Sequence, residues 1–120
     1  MVGFLRITGG SIAAATNVDV ASGCSFRIAA GSHTINNLDL SGGGGLTIDA
    51  GCTLTITGTF TPGTGTINNL GTIVLKGAAA QSFPGSGATI SNMSNLTIDN
   101  SSGVTLDKSI TVSGTLTLTS

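Results

Sequence analysis

Apolar residues occupy every second position in short stretches along almost the entire chain. In "LTI" at residues 46–48 and "LTL" at residues 116–118, two aliphatic residues flank one threonine. Strict alternation predicts a β-strand with one buried face, because successive side chains of a strand point to opposite sides. Helical periodicity is absent, so the pattern predicts an all-β chain. The alternating pairs are Leu5/Ile7, Val18/Val20, Phe26/Ile28, Leu38/Leu40, Leu46/Ile48, Leu54/Ile56, Ile73/Leu75, Leu96/Ile98, Val104/Leu106, Ile110/Val112 and Leu116/Leu118.

Turn-forming residues such as "SGGGG" and "PGTG" separate these stretches, and a phrase beginning with asparagine recurs between them. "NVDV", "NLDL", "NLGTIVL" and "NLTID" begin at residues 17, 37, 69 and 95, and "TINNL" begins at both 34 and 66. Restarts at this spacing indicate stacked units rather than a meander of hairpins. We therefore predict a single-stranded parallel β-solenoid (β-helix) of about four to six coils. It forms one domain over residues 1–120 without clear caps.

The composition fits a thin, stacked core. The 120 residues include 19 Gly and four Phe but no Trp or Tyr. In a solenoid each apolar side chain lies above its counterpart in the next coil, so Val, Ile and Leu suffice, while Gly and stacked Asn occupy the corners. Two registers are compatible with the repeats. Aligning the asparagine phrases places Cys52 opposite Ser32, whereas aligning "VDVASGCSFRI" with "LTIDAGCTLTI" places Cys24 over Cys52.

The charge pattern excludes several classes of partner. The formal net charge is −1, and the four basic residues are spread singly along the chain. Nucleic-acid binders cluster Lys and Arg and add aromatic rings for stacking, so no nucleic-acid partner is predicted. Polar residues interrupt every apolar run, which excludes membrane insertion as a helix. The start "MVGFLRITGG" lacks the apolar stretch of an export signal, which fits a cytoplasmic protein or a mature or excised piece of a larger one.

Three aspartates are the first candidates for chemistry. Asp49, Asp99 and Asp107 each follow an apolar strand residue, where aspartate commonly bonds the backbone of a turn. A catalytic pair would require two of them to converge on one exposed face. We predict no catalytic residue, and Ala at Asp49, Asp107 or His33 is expected to cost less than about 1 kcal/mol of stability.

The remaining candidates also favour a structural interpretation. His33 is the single histidine and is expected to be a solvated turn residue, so a histidine-based triad or metal site lacks its second member. Cys24 and Cys52 are too few for a structural metal site and are expected to be two small buried thiols. "SGGGGL" at residues 41–46 precedes a strand pattern rather than a helix, which indicates a corner and not a phosphate loop. No metal or cofactor is predicted.

Residues 71–120, "GTIVLKGAAAQSFPGSGATISNMSNLTIDNSSGVTLDKSITVSGTLTLTS", carry a resemblance. They resemble the low-charge β-solenoid repeats of secreted surface proteins of gliding and marine bacteria, which are similar to haemagglutinin-type and autotransporter adhesins. "LTIDAGCTLTITG" at residues 46–58 has the same alternation of aliphatic residues with threonine, interrupted by a short turn. The resemblance implies a β-solenoid architecture and an extracellular or cell-surface location, and it implies no activity.

The leading functional hypothesis is a structural module of an extracellular fibre or adhesin. "GFLRI" at residues 3–7 and "GTLTLTS" at residues 114–120 read as interior coils, without the charges or prolines that protect a strand edge. They predict head-to-tail self-association into a homopolymer, with the alternative that the chain is a fragment of a longer solenoid. The predicted assembly residues are Phe4, Leu5, Ile7, Leu116 and Leu118.

Two alternatives remain open. Alternating threonines at residues 53–57 and 115–119 predict an ice-binding face like that of solenoid antifreeze proteins, although "FRI", "LDL" and "IVL" interrupt the ladder. A carbohydrate-binding solenoid that takes surface glycans is the other alternative. The predicted ice or ligand face comprises Thr53, Thr55, Thr57, Thr115, Thr117 and Thr119.

Overall fold

The computed structural model describes residues 3–120, and Met1 and Val2 lie outside the description. The described chain is all-β, contains no helix and winds into a parallel β-solenoid of about five turns, as the alternation predicts. No helix in residues 3–120 has the length and apolarity needed to cross a membrane. The strands are β1 (Phe4–Ile7), β2 (Val18–Asp19), β3 (Ser25–Ile28), β4 (Ser32–Ile35), β5 (Leu38–Asp39), β6 (Gly45–Ile48), β7 (Thr53–Ile56), β8 (Phe60–Thr61), β9 (Thr66–Leu75), β10 (Gln81–Phe83), β11 (Thr89–Ile98), β12 (Val104–Leu106) and β13 (Leu116–Leu118).

Each coil contributes to three faces, and every pairing between coils is parallel. The first face stacks β1, β3, β6 and the first halves of β9 and β11. The second face stacks β4, β7, the second halves of β9 and β11, and then β13. The third face stacks β2, β5 and β8, and β10 with β12. Partners in neighbouring coils lie 19 to 24 residues apart, so the coil length varies along the chain.

Stacked aliphatic side chains fill the core. On the second face Leu54 lies under Ile73, and Ile56 under Leu75, all fully buried. Phe60 and Phe83 pack between coils on the third face with ring centroids 5.4 Å apart. Asparagine amides also stack at a corner, as predicted: after β4, the Nδ2 of Asn36 donates to the Oδ1 of Asn17 in the preceding coil at 3.2 Å. Medium-sized residues can therefore close this core without Trp or Tyr.

The segment "SGGGG" at residues 41–45 is a tight corner between the third and first faces, as predicted. Gly43 has a φ of +92°, which other residues rarely adopt. A Cβ at Gly44 would overlap the carbonyl oxygen of Val20 in the preceding coil. Glycine is therefore required here because two coils approach backbone to backbone.

The structure corrects both predicted registers. Ser32 pairs with Thr53, so Cys52 lies opposite Gly31, one residue from its predicted place. The second alignment is wrong by a whole corner, because Cys24 precedes the first face in its coil and Cys52 precedes the second. The pair Ile110/Val112 forms no strand, whereas β4 and β10 were not predicted. Those two strands carry His33 and Gln81 at buried positions, which hides their alternation.

Candidate functional site: the outer coils and the threonine face

The first coil exposes apolar side chains along β1. Leu5 pairs with the buried Phe26, so it occupies an inward position, yet it is 54% exposed because no coil covers it in the structure. Ile7 is half-buried in the next inward position. Phe4 pairs with Ser25 and takes an outward position, with 60% exposure. Of the predicted assembly residues here, Leu5 and Ile7 belong to the coil interior, and Phe4 lies beside it.

The last coil exposes the opposite cross-section. Leu116 and Leu118 continue the inward columns of Leu96 and Ile98, but they are 54% and 72% exposed. An open apolar groove of about 560 Å³ runs beside them. The structure therefore brings both predicted leucines to one uncovered apolar edge. The groove is lined by Leu96, Ile98, Val104, Leu106, Ile110, Val112, Leu116 and Leu118.

The outward positions of the second face form a surface that we call the threonine face. One column runs Thr34, Thr55, Val74, Thr97 and Thr117 in successive coils. A second column runs Ser32, Thr53, Thr72 and Asn95, and the Oδ1 of Asn95 accepts the backbone N–H of Thr115 at 2.8 Å. A third column at the edge of the face contains Thr57, Lys76, Asp99 and Thr119. All six threonines predicted for the ligand face lie on this one surface.

The interruptions expected from the sequence fall mostly elsewhere. Arg27 of "FRI" points outward on the first face, and Asp39 of "LDL" lies on the third face. Val74 of "IVL" does lie on the threonine face. The ladder is thus more continuous than the sequence indicated, because β4, which brings Ser32 and Thr34 into it, was not predicted.

Charged groups on the threonine face neutralise each other at its edge. The Nζ of Lys76 lies 2.9 Å from the Oδ2 of Asp99. Hydrogen bonds from Lys76, and then from Ser120 and Thr119, hold the pKa of Asp99 below its usual value. The hydroxyl of Thr57 donates to the carbonyl of Ile35 at 3.2 Å. The edge column is therefore fixed by contacts within the protein.

The aspartates do not converge. Asp49 follows β6 on the first face, Asp99 follows β11 on the second, and Asp107 follows β12 on the third. The Nε and Nη2 of Arg27 donate to the two carboxylate oxygens of Asp49 at 2.9 and 2.8 Å. These bonds and the guanidinium charge keep the pKa of Asp49 below its ordinary value. Each carboxylate thus has its own local partner, and that of Asp107 is the N–H of Gly85, 2.7 Å away.

His33 is not the solvated turn residue that the sequence predicted. It is 5% exposed and lies in β4, facing the core. Its Nε2 is 2.9 Å from the carbonyl oxygen of Ala30 and therefore carries the proton, while the buried Nδ1 has no hydrogen-bond partner. The alternation of His33 with Ile35 was the signal that could have identified its burial.

The cysteines are both free, with Cys52 buried and Cys24 half-buried. Among residues 3–120, no three His, Cys, Asp or Glu side chains lie close enough together to hold a metal ion. Comparison of the chain with protein-family models, curated proteins and solved structures gives no match. The two coil edges and the threonine face are therefore the features of the described chain that bear on function.

Proposed function

We propose that the chain is a structural β-solenoid module of an extracellular fibre or surface adhesin, and that it self-associates head to tail. The observation that carries the proposal is the pair of apolar cross-sections, with Leu5 exposed at one edge and Leu118 at the other. Each edge also presents backbone groups of a parallel strand without a neighbour in the structure. Such edges are templates for a further strand.

The two edges are compatible on the first and second faces, because the strands of those faces belong to one continuous stack of coils. A second copy placed on the last coil would set its β1 above residues 109–112 on the first face. It would also set its residues 11–16 above β13 on the second face. Leu116 and Leu118 would then be covered, and Leu5 and Ile7 would continue the inward columns of the first face. This contact is head-to-tail and does not close, so growth is open-ended.

Docking would also order two segments. Residues 109–112 and residues 11–16 are not strands in the structure, although each lies in the path of a face that is stranded in neighbouring coils. A parallel partner strand would supply the hydrogen bonds they lack. Self-association is therefore expected to increase β-structure.

The extracellular location is part of the proposal and is supported by the resemblance of residues 71–120 to surface-protein repeats. The glycan-binding alternative has less support. Phe26, Phe60 and Phe83 are buried, which leaves Phe4 as the one exposed aromatic ring for stacking on a sugar. No observation favours it over self-association.

The test is sedimentation velocity across a wide concentration range. The parent should form species larger than the 11.7 kDa chain, and Leu118→Lys should remain monomeric because it places a charge in the apolar joint. Thr117→Lys is the matched control, since Thr117 lies in the same strand and points outward. A parent that stays monomeric throughout would refute head-to-tail stacking, as would equal association of both variants.

A further inference from the structure

The threonine face has a more regular surface than the rest of the solenoid. The pairing of β9 with β11 shows register shifts between Ile90 and Asn92 and between Met93 and Asn95. Both shifts lie on the first face or at its corner. From Asn95 to Ile98 the register with Thr72–Leu75 is uninterrupted. The outward side chains of the second face therefore form an unbroken two-dimensional array across five coils.

The spacing of the array follows from parallel β-geometry. Neighbouring coils place equivalent side chains about 4.8 Å apart, and residues i and i+2 of one strand lie about 6.6 Å apart. The inter-coil repeat is close to the shorter distance at which oxygen atoms recur on faces of an ice crystal. Water bound to one hydroxyl of the array is therefore placed near the lattice position expected of its neighbours.

The array is also stiff. Threonine and valine are β-branched and restricted at χ1. Directly behind them, Leu54, Ile56 and Ile73 are fully buried and anchor the strands to the core. A surface whose side chains are already ordered loses little conformational entropy when water molecules order on it. Contacts between ice and equivalent side chains in successive coils then reinforce one another. Once the first contact forms, the others are already held close to the ice surface.

The threonine face carries no net charge, which suits the uncharged lattice of ice. Its two inner columns contain no ionisable residue, and at its edge Lys76 and Asp99 neutralise each other. Hydroxyl, methyl and amide groups remain. The face therefore offers no unpaired charge to a charged ligand. Ice is uncharged and needs no such partner.

From these observations we propose that the threonine face binds ice. The inference does not depend on self-association, because the face is perpendicular to the coil edges that would form the joint. Val74 is the one residue of its column without a hydroxyl and has nearly the shape of threonine. The column would be completed by Val74→Thr.

The experiment measures thermal hysteresis and ice-crystal shape with the purified full chain. The parent should lower the freezing point below the melting point and produce faceted crystals. Thr97→Lys should lose this activity, and Val74→Thr should increase it. Thr105→Lys is the matched control, because Thr105 belongs to the same coil and lies on the third face. Circular dichroism and a melting curve verify that each variant is folded.

Two results would overturn the inference. One is a parent with no more hysteresis than an equal mass of an unrelated β-protein. The other is equal loss in folded Thr97→Lys and Thr105→Lys. The Leu118→Lys variant separates the two proposals, since it should lose self-association and keep ice binding. If both activities vanish in folded Leu118→Lys, the face does not act on its own and the inference is refuted.

Discussion

His33 and Leu54 are register partners in neighbouring coils of the second face, and both side chains are buried in the core. The same inward column continues through Ile73 and Leu96. Histidine is thus the polar member of an otherwise aliphatic column. Its unpartnered Nδ1 carries a desolvation cost, which for a buried acceptor is about 1–3 kcal/mol.

Replacing this histidine with leucine should therefore stabilise the fold. We expect His33→Leu to raise the free energy of unfolding by about 1 kcal/mol, because removing the unsatisfied Nδ1 and burying an apolar side chain of similar volume outweigh the lost hydrogen bond from Nε2 to the Ala30 carbonyl. His33→Ala should instead lower it by about 2 kcal/mol through the cavity it leaves, which replaces the limit of about 1 kcal/mol expected for an exposed turn residue. Urea denaturation measures both. If His33→Ala costs nothing, the side chain is not buried as described.

The corner at Gly44 should tolerate no Cβ. Gly44→Ala forces an overlap with the Val20 carbonyl of the preceding coil, and overpacking of this kind costs about 3 kcal/mol. Gly9→Ala is the control, because a Cβ at Gly9 meets nothing within 4 Å. Its effect should stay within about 0.5 kcal/mol. Thermal melts of the two variants compare them directly, and equal melting temperatures would contradict the close approach.

The buried amide of Gln81 should be essential to the corner that follows β9. Its Nε2 donates to the carbonyls of Ile56 and Gly58, and its Oε1 accepts from Gly77 and Asn100. Gln81→Leu leaves these groups without partners and should cost about 3 kcal/mol or more. The control is Ser82→Ala, at the neighbouring exposed position. Chemical denaturation that finds no difference would show that water replaces the lost bonds.

Two ion pairs should make the fold sensitive to acid. The folded-state pKa values of Asp49 and Asp99 are lowered, chiefly by hydrogen bonds from Arg27 and Lys76. The unfolded chain therefore binds more protons at low pH. The stabilisation is fully present above the ordinary aspartate pKa of about 3.9 and is lost as the pH falls through the lower folded values.

The combined substitution Asp49→Asn and Asp99→Asn should consequently flatten the dependence of the melting temperature on pH below about pH 4. Asp19→Asn is a suitable control, because Asp19 forms no ion pair within residues 3–120. Melting curves recorded from neutral to acidic pH provide the measurement. Parallel curves for the parent and the double variant would show that the pairs contribute nothing.

Most of the strands could be predicted from the sequence, because alternation reports directly whether a side chain faces the core. The exceptions have local causes. Buried polar residues concealed β4 and β10, and Ile110/Val112 alternates but lies in the first-face segment of the uncovered last coil, which forms no strand. Asn69 also fills an inward position, where its amide is hydrogen-bonded to Gly71 and Asn95. An asparagine in the sequence does not indicate a core position, so this one was not predicted.

The asparagine phrases identified a repeat but not its register. "NVDV" and "NLDL" do stack, because Val18 pairs with Leu38 on the third face. "TINNL" at residue 34 starts on the second face, whereas the same phrase at residue 66 starts on the first. Segments of the same sequence therefore lie on different faces. Every face of a solenoid has the same alternation of buried and exposed positions, so the residue types do not distinguish one face from another.

The sequence by itself determined that this chain is an all-β solenoid, because its alternation and its lack of Trp and Tyr suit a thin stacked core. It also located the apolar edges at Leu5 and Leu118. The tertiary structure decided which threonines share a surface. Alternation separates inside from outside but does not say which face a strand joins, and that depends on corner lengths set by backbone contacts such as that of Gly44 with Val20.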